Sequence, residues 1–146
     1  MFDDLRQLYQ DSIMQRGRAP KHGSRLAAFD AEAKGDNPMC GDRVHIFVRH
    51  DGEAIAELGF EARGCAISIA SADLMAEAVA GQSDARAGEI ISVVQTMVQT
   101  GELSDPSLEM LRPLAAISEA KSRIKCATLP WGALQSLLND KRSVVA

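Results

Sequence analysis

Every cysteine of this chain lies in one of three short segments: Asn37-Pro38-Met39-Cys40-Gly41-Asp42, Arg63-Gly64-Cys65-Ala66-Ile67-Ser68 and Arg123-Ile124-Lys125-Cys126-Ala127. Each sits where a chain reversal meets the start or end of a regular element. Three thiols with a nearby carboxylate, Asp42, can close a tetrahedral soft-metal site, and zinc is the default occupant of such a site. A fold in which they share one ion must bring three distant stretches of chain to one place.

The pattern around those segments reads as an α+β domain. Phe2, Leu5, Leu8, Tyr9 and Ile13 recur at helical spacing, so residues 3–15 read as an amphipathic helix, ended by Gly17, Pro20 and Gly23. Residues 25–33 are read as a first strand. Val44, Ile46 and Val48 then alternate with Arg43, His45, Phe47 and Arg49. Ala54, Ala56, Leu58, Phe60 and Ala62 then alternate with Glu53, Ile55, Glu57, Glu61 and Arg63, and Asp51-Gly52 between the two runs predicts a two-residue hairpin turn. From Cys65 the period changes to helical as far as Gly81. Ser83 caps a further helix that ends at Gly101. Pro106 and Pro113 each open a short helix, over 106–111 and 113–121. The last helix begins near Cys126, with Pro130 in its first turn. Strands in the first half and helices in the second predict about three antiparallel strands with helices packed on one face.

Composition limits the function classes. The 146 residues are 46% hydrophobic and 4% aromatic, enough for one aliphatic core, so residues 1–146 read as a single domain. A formal net charge of −4, with no basic stripe, argues against a nucleic-acid partner. The start Met1-Phe2-Asp3-Asp4-Leu5 is acidic where a signal peptide is positive, and no apolar run spans a membrane. The expectation is a cytoplasmic protein without a membrane partner, whose odd number of thiols favours metal or reactive chemistry over a disulfide framework.

Within the motifs, Gly41 imposes no bulk between Cys40 and Asp42, so both can reach one ion. Cys65 and Cys126 each fall at a helix start, where the dipole favours thiolate. Other readings of these residues stay open. Lone cysteines are often small buried hydrophobes, two of the three could form a redox disulfide, and Asp42 could cap the turn after Pro38. A structural zinc is usually held by Cys-x-x-Cys knuckles, which are missing here. His22, His45 and His50 read as surface residues rather than ligands.

Taken together, the three motifs resemble the U-type iron–sulfur cluster assembly proteins, the NifU N-terminal/IscU-like superfamily. The resemblance rests on Asn37-Pro38-x-Cys40-Gly41-Asp42, Gly64-Cys65-Ala66-Ile67-Ser68-x-Ala70-Ser71-Ala72 and Arg123-x-Lys125-Cys126-Ala127-Thr128-Leu129-x-Trp131. Scaffold-type members carry a His before the third cysteine and a Leu-Pro-Pro-Val-Lys motif upstream. Here Lys125 precedes Cys126, that motif is absent, and the stretch between Cys65 and Cys126 is longer by about one helix, as in the SufU-like branch. The resemblance implies a SufU/IscU-like fold and a zinc-dependent protein that accepts persulfide sulfur from a SufS-like cysteine desulfurase and passes it toward downstream cluster-assembly proteins. It implies Cys40, Asp42, Cys65 and Cys126 as zinc ligands, with Cys40 as the sulfur acceptor. The alternative is a scaffold holding iron or a transient [2Fe–2S] cluster on the same ligands. Arg123 and Lys125 could offset the negative charge of the site or simply be solvated. The family's Asp-His-Tyr and Pro-Arg-Asn elements are replaced here by Met14-Gln15-Arg16-Gly17 and Pro20-Lys21-His22-Gly23.

Overall fold

The structure, a computed structural model, describes residues 2–38 and 41–145, with side chains over residues 10–139 of that span. Helix α1 (Phe2–Arg18) leads into three antiparallel strands, β1 (Ala31–Asn37), β2 (Asp42–Asp51) and β3 (Ala54–Arg63), in the order β1-β2-β3. Helices α2 (Ala66–Val79) and α3 (Asp84–Thr100) follow. Next come two 3₁₀ segments, Pro106–Glu119 and Lys121–Arg123, and helix α4 (Ile124–Val145). The α+β reading holds: α2 packs on β3 and α4 on β1 and β2, while α1, α3 and the longer 3₁₀ segment form a second layer behind them.

The core follows the alternation in the hairpin. Val44, Ile46, Val48, Leu58 and Phe60 face the helices and are buried. At about 25 cal/mol per Å² of apolar surface removed from water, each contributes roughly 1.5–3 kcal/mol. A bulge between Arg49 and His50 shifts the register, pairing Arg49 with Glu57 but His50 with Ile55. The bulge reverses the side-chain alternation, so Ile55 is fully buried and Ala56, expected to face inward, is not. The turn is Gly52-Glu53 rather than Asp51-Gly52, because Asp51 still pairs with Ala54. Gly52 has φ +65° and no non-glycine residue among those described has positive φ, the signature of a II′ turn.

The first strand lies at Ala31–Asn37, overlapping the predicted 25–33 only over residues 31–33. Its sequence, Ala-Glu-Ala-Lys-Gly-Asp-Asn, has no apolar run. What makes it a strand is its ladder with β2 and the close approach of α4, where a Cβ on Gly35 would lie 3.2 Å from Leu129 and 3.3 Å from Ala133. Residues 20–30 instead cross the outer face of the sheet. Phe29 packs on Phe47 with ring centroids 4.9 Å apart, and Arg25 lies 5.0 Å over the Phe47 ring. Gly59 makes room for that crossing, since a Cβ there would meet Ser24 O at 2.5 Å.

Helix α1 does not stop at Gly17. That residue is the contact point with α2, where an added Cβ would lie 2.6 Å from the Ala66 Cβ. Of the apolar positions expected on this helix, Ile13 is buried, and the side chains of Phe2, Leu5, Leu8 and Tyr9 lie outside the described residues. Arg16 donates to the fully buried Asp73 at 2.7 Å and to Glu77 at 3.0 Å, and the His22 backbone N–H donates to Asp73 at 2.8 Å. The residues that depart from the family pattern therefore fasten α1 and the connector to α2.

His50 is not a surface residue. Its ring lies between Asp30 (2.7 Å) and Asp84 (2.9 Å), with only 6% of the side chain exposed. Backbone bonds from Ile55 N to Gln82 O and from Gly81 N to Ile55 O fasten the same end of the hairpin to the α2–α3 turn. Ser83 and Gly101 cap α3 as expected. The predicted helices at 106–111 and 113–121 are one 3₁₀ stretch, in which Leu108 leaves helical geometry and Leu111, Leu114 and Ile117 are buried.

Candidate metal centre

The site forms at one end of the sheet, where β2 begins and β3 ends. Asp42 is the first residue of β2 and is 2% exposed. Across the sheet, β3 ends at Arg63, and Gly64 turns the chain with φ +141° into Cys65, the N-cap of α2. Ligand atoms of Asp42, Cys65 and Cys126 all lie within 4.8 Å of one another. Cys40, the fourth expected ligand, lies outside the described residues.

Asp42 does more than face the thiols. Its Oδ1 accepts the Cys65 backbone N–H at 3.0 Å and its Oδ2 accepts from Cys65 Sγ at 3.4 Å. It therefore fixes the backbone at the start of α2, where the Cys65 side chain makes no cap bond of its own. Gly64 is required by this contact. A Cβ on it would overlap Asp42 Oδ1, and its φ is one that L side chains rarely adopt. Ser68, also unassigned from sequence, is 3% exposed and donates to the Cys65 carbonyl at 3.1 Å, with its Oγ 3.6 Å from Cys65 Sγ. The signal for it was its spacing, three residues after a helix-starting cysteine.

Cys126 arrives on helix α4, which packs beside α2. Helix α4 begins at Ile124, so Cys126 is inside the first turn and Pro130 is in the helix interior, one turn deeper than expected. With no N–H on Pro130, the Cys126 carbonyl loses its helical donor. Near the same turn, Ser71 Oγ donates to Ala127 O at 2.5 Å and accepts from Trp131 Nε1 at 2.8 Å. Both residues are fully buried, and this pair joins α2 to α4 directly behind the site.

The expectation that the helix start lowers the Cys126 pKa is reversed. Burial, followed by the neighbouring Asp42 and Cys65, pushes the Cys126 thiol up to about 12. At 2% exposure, desolvation is the largest cause of that rise. A cluster that gathers a carboxylate and two thiols within 4.8 Å suits a divalent cation, whose charge favours the thiolates that burial alone disfavours. The donor set fits zinc or iron; it does not fit magnesium or calcium, which take oxygen ligands. Arg123 and Lys125 are both exposed.

Comparison with known proteins agrees with this arrangement. The family model "NifU-like N terminal domain" matches residues 8–136. This chain belongs to the NifU N-terminal family. It is 34% identical over 143 residues to the "Iron-sulfur cluster assembly scaffold protein IscU" of Streptococcus pyogenes serotype M1, covering 97% of this chain and 88% of that protein. It is also 34% identical over 134 residues to the "Zinc-dependent sulfurtransferase SufU" of Bacillus subtilis, covering 90% of each. Among solved structures, a putative scaffold protein for the SUF system from Fervidobacterium islandicum aligns with TM-score 0.79 at 28% identity, over 88% of this chain and 94% of that one. The N-terminal part of a NifU-like protein from Brucella abortus shares the fold, with TM-score 0.81 at 18% identity, over 92% of this chain and 94% of that one. Among the described residues, no helix is long and apolar enough to cross a membrane.

Proposed function

We propose that this chain is a zinc-dependent sulfur acceptor in iron–sulfur cluster assembly, acting in the cytoplasm as a single domain beside a SufS-like cysteine desulfurase. The observation that carries the reading is the convergence of Asp42, Cys65 and Cys126 within 4.8 Å, with Asp42 bonded to the Cys65 backbone. Cys40 completes the ligand set and is the sulfur acceptor. A bound zinc would hold the thiols as thiolates at neutral pH.

The chain's own residues supply the rest. Asp42 and Ser68 hold Cys65 at the mouth of α2, and burial keeps Cys126 fixed in the wall. In sequence, Cys40 stands beside Gly41, which has φ +76° and open space where a Cβ would be. The Cys40 thiolate attacks the outer sulfur of the desulfurase persulfide. One S–S bond forms on Cys40 as the partner's S–S bond breaks, and the partner cysteine leaves as thiolate with no net oxidation. The sulfur then passes to downstream assembly proteins.

Lys125 in the position before Cys126 and the added 3₁₀ segment between α3 and α4 support the carrier reading. The equal identity to a named IscU scaffold supports a second reading, in which the same ligands hold a transient [2Fe–2S] cluster. Elemental analysis with an absorption spectrum separates the two. One zinc per chain and no visible chromophore is the carrier outcome. Mass spectrometry after incubation with desulfurase and cysteine should find added sulfur on Cys40, and Cys40→Ser should lose stimulation of the desulfurase. Persulfide confined to Cys65 or Cys126, or full stimulation by Cys40→Ser, overturns the acceptor assignment.

A further inference from the structure

Ser68 faces two acceptors with a single proton. It is the third residue of α2 and 3% exposed, and its Oγ lies 3.1 Å from the Cys65 carbonyl oxygen and 3.6 Å from Cys65 Sγ. On the carbonyl that proton is surplus, because the same oxygen already accepts the Ile69 backbone N–H at 3.3 Å. A hydroxyl hydrogen turns about its Cβ–Oγ bond. The proton can therefore pass from the carbonyl to the sulfur without displacement of a heavy atom.

Which acceptor takes it depends on what Cys65 is doing. As a thiol, Cys65 carries its own proton and donates it to Asp42 Oδ2 at 3.4 Å. A cysteine that ligates a metal has given up that proton, so its sulfur can only accept. Two oxygens hydrogen-bond Cys65 Sγ among the described residues, Asp42 Oδ2 and Ser68 Oγ, and of these only the hydroxyl can then donate. Burial of Ser68 keeps water from taking its place, and a bond to an anionic sulfur is stronger there than in solvent.

The effect falls on the sulfur that most requires it. Cys126 is buried, whereas Cys65 is half-buried and so more open to an electrophile. A donor to a thiolate draws charge from the lone pair that would attack, which makes the sulfur a poorer nucleophile and orients it as a ligand. Asp42 and Ser68 divide this task, with Asp42 fixing the Cys65 backbone through its N–H at 3.0 Å and Ser68 acting on the sulfur.

We infer that Ser68 is a positioning residue, whose hydroxyl bonds the Cys65 sulfur in the metal-loaded chain, retains Cys65 as a ligand and leaves Cys40 as the acceptor. The inference rests on the zinc-dependent sulfur-acceptor reading above.

The test compares the full chain with Ser68→Ala and Ser68→Thr. Zinc affinity is measured by chelator competition, and the unfolding midpoint is measured on the zinc-free chain. Alkylation of Cys65 by iodoacetamide is followed by peptide mass spectrometry at saturating zinc; the sulfur displaces iodide as its S–C bond forms. Ser68→Ala should weaken zinc binding by about tenfold or more and speed Cys65 alkylation several-fold. Its zinc-free midpoint should stay close to that of the wild type, since the Ile69 N–H still fills the Cys65 carbonyl. Ser68→Thr keeps the hydroxyl and should return both readouts toward the wild type; if its extra methyl prevents folding, the alanine variant decides alone. Wild-type affinity and alkylation in Ser68→Ala overturn the inference. A lowered zinc-free midpoint with both of them unchanged also overturns it, since the hydroxyl is then purely structural. If the effects are present but the wild-type chain takes no sulfur from a cysteine desulfurase, the acceptor reading fails and the bond from Ser68 to the ligand sulfur stands. A wild-type chain that binds no zinc overturns both.

Discussion

Asp42 Oδ1 accepts the backbone N–H of Cys65 at 3.0 Å, so one carboxylate both faces the metal centre and holds the first turn of the helix that presents a thiol to it. Asp42→Ala removes charge and acceptor together, whereas Asp42→Asn keeps an acceptor oxygen. The alanine variant should be destabilised without metal by about 1–3 kcal/mol, the cost of an orphaned part-buried donor. The asparagine variant should keep most of that stability while losing zinc affinity in competition with a chelator. Equal metal-free stability of the two variants would show that the hydrogen bond is incidental.

Glycine positions provide an internal contrast. Gly64→Ala meets Asp42 and a strained φ, and should cost about 3 kcal/mol and disrupt metal binding. Gly88, inside α3, has nothing within 4 Å of where a Cβ would sit. Gly88→Ala should therefore gain up to about 1 kcal/mol from helix propensity. Urea unfolding of both variants, with zinc content, measures the two effects together; a well-tolerated alanine at 64 would contradict the packing of Asp42.

Ser71→Ala leaves the Trp131 indole N–H and the Ala127 carbonyl without their shared hydroxyl in a fully buried place. The expected loss is about 2 kcal/mol. Trp131 is the chain's one tryptophan, so its fluorescence reports the change of environment directly. An unchanged spectrum and unfolding midpoint would mean that the hydroxyl is dispensable.

The Arg16 cluster sets an acid limit on stability. Its guanidinium holds the Glu77 carboxyl below the usual carboxylate range, mainly through their hydrogen bond. A depressed carboxyl contributes stability that is fully present above the unfolded value of 4.5 and lost as pH falls through the folded one. Arg16→Met should cost about 3–5 kcal/mol at neutral pH, because it strips the guanidinium partner from Asp73, which is fully buried. It should also flatten the fall in stability below the usual glutamate range. Chemical unfolding from pH 7 to pH 3 checks both, and parallel wild-type and variant curves would remove Glu77 from the account.

What the sequence determined by itself is everything that depends on neighbours a few positions apart. The inward row Val44, Ile46, Val48 and Leu58, the Ser83 and Gly101 caps and the glycine turn into Cys65 were all readable, because strand and helix periods and positive φ are local properties. The three cysteine motifs also carried the family. Tertiary structure decided what depends on distant partners. The chain Ala31–Asn37 becomes a strand because β2 and α4 are beside it, although its own residues alternate only weakly. His50 is buried because Asp30 and Asp84 converge on it, and the Ile55 alternation is reversed by a bulge that no local pattern announces. The Cys126 pKa is the sharpest case: its place at a helix start argues for a lowered value, yet burial beside Asp42 and Cys65 raises it to about 12. A dipole at a helix end is fixed by sequence, but desolvation is set by every segment that folds over the group, and here it is the largest cause of the rise.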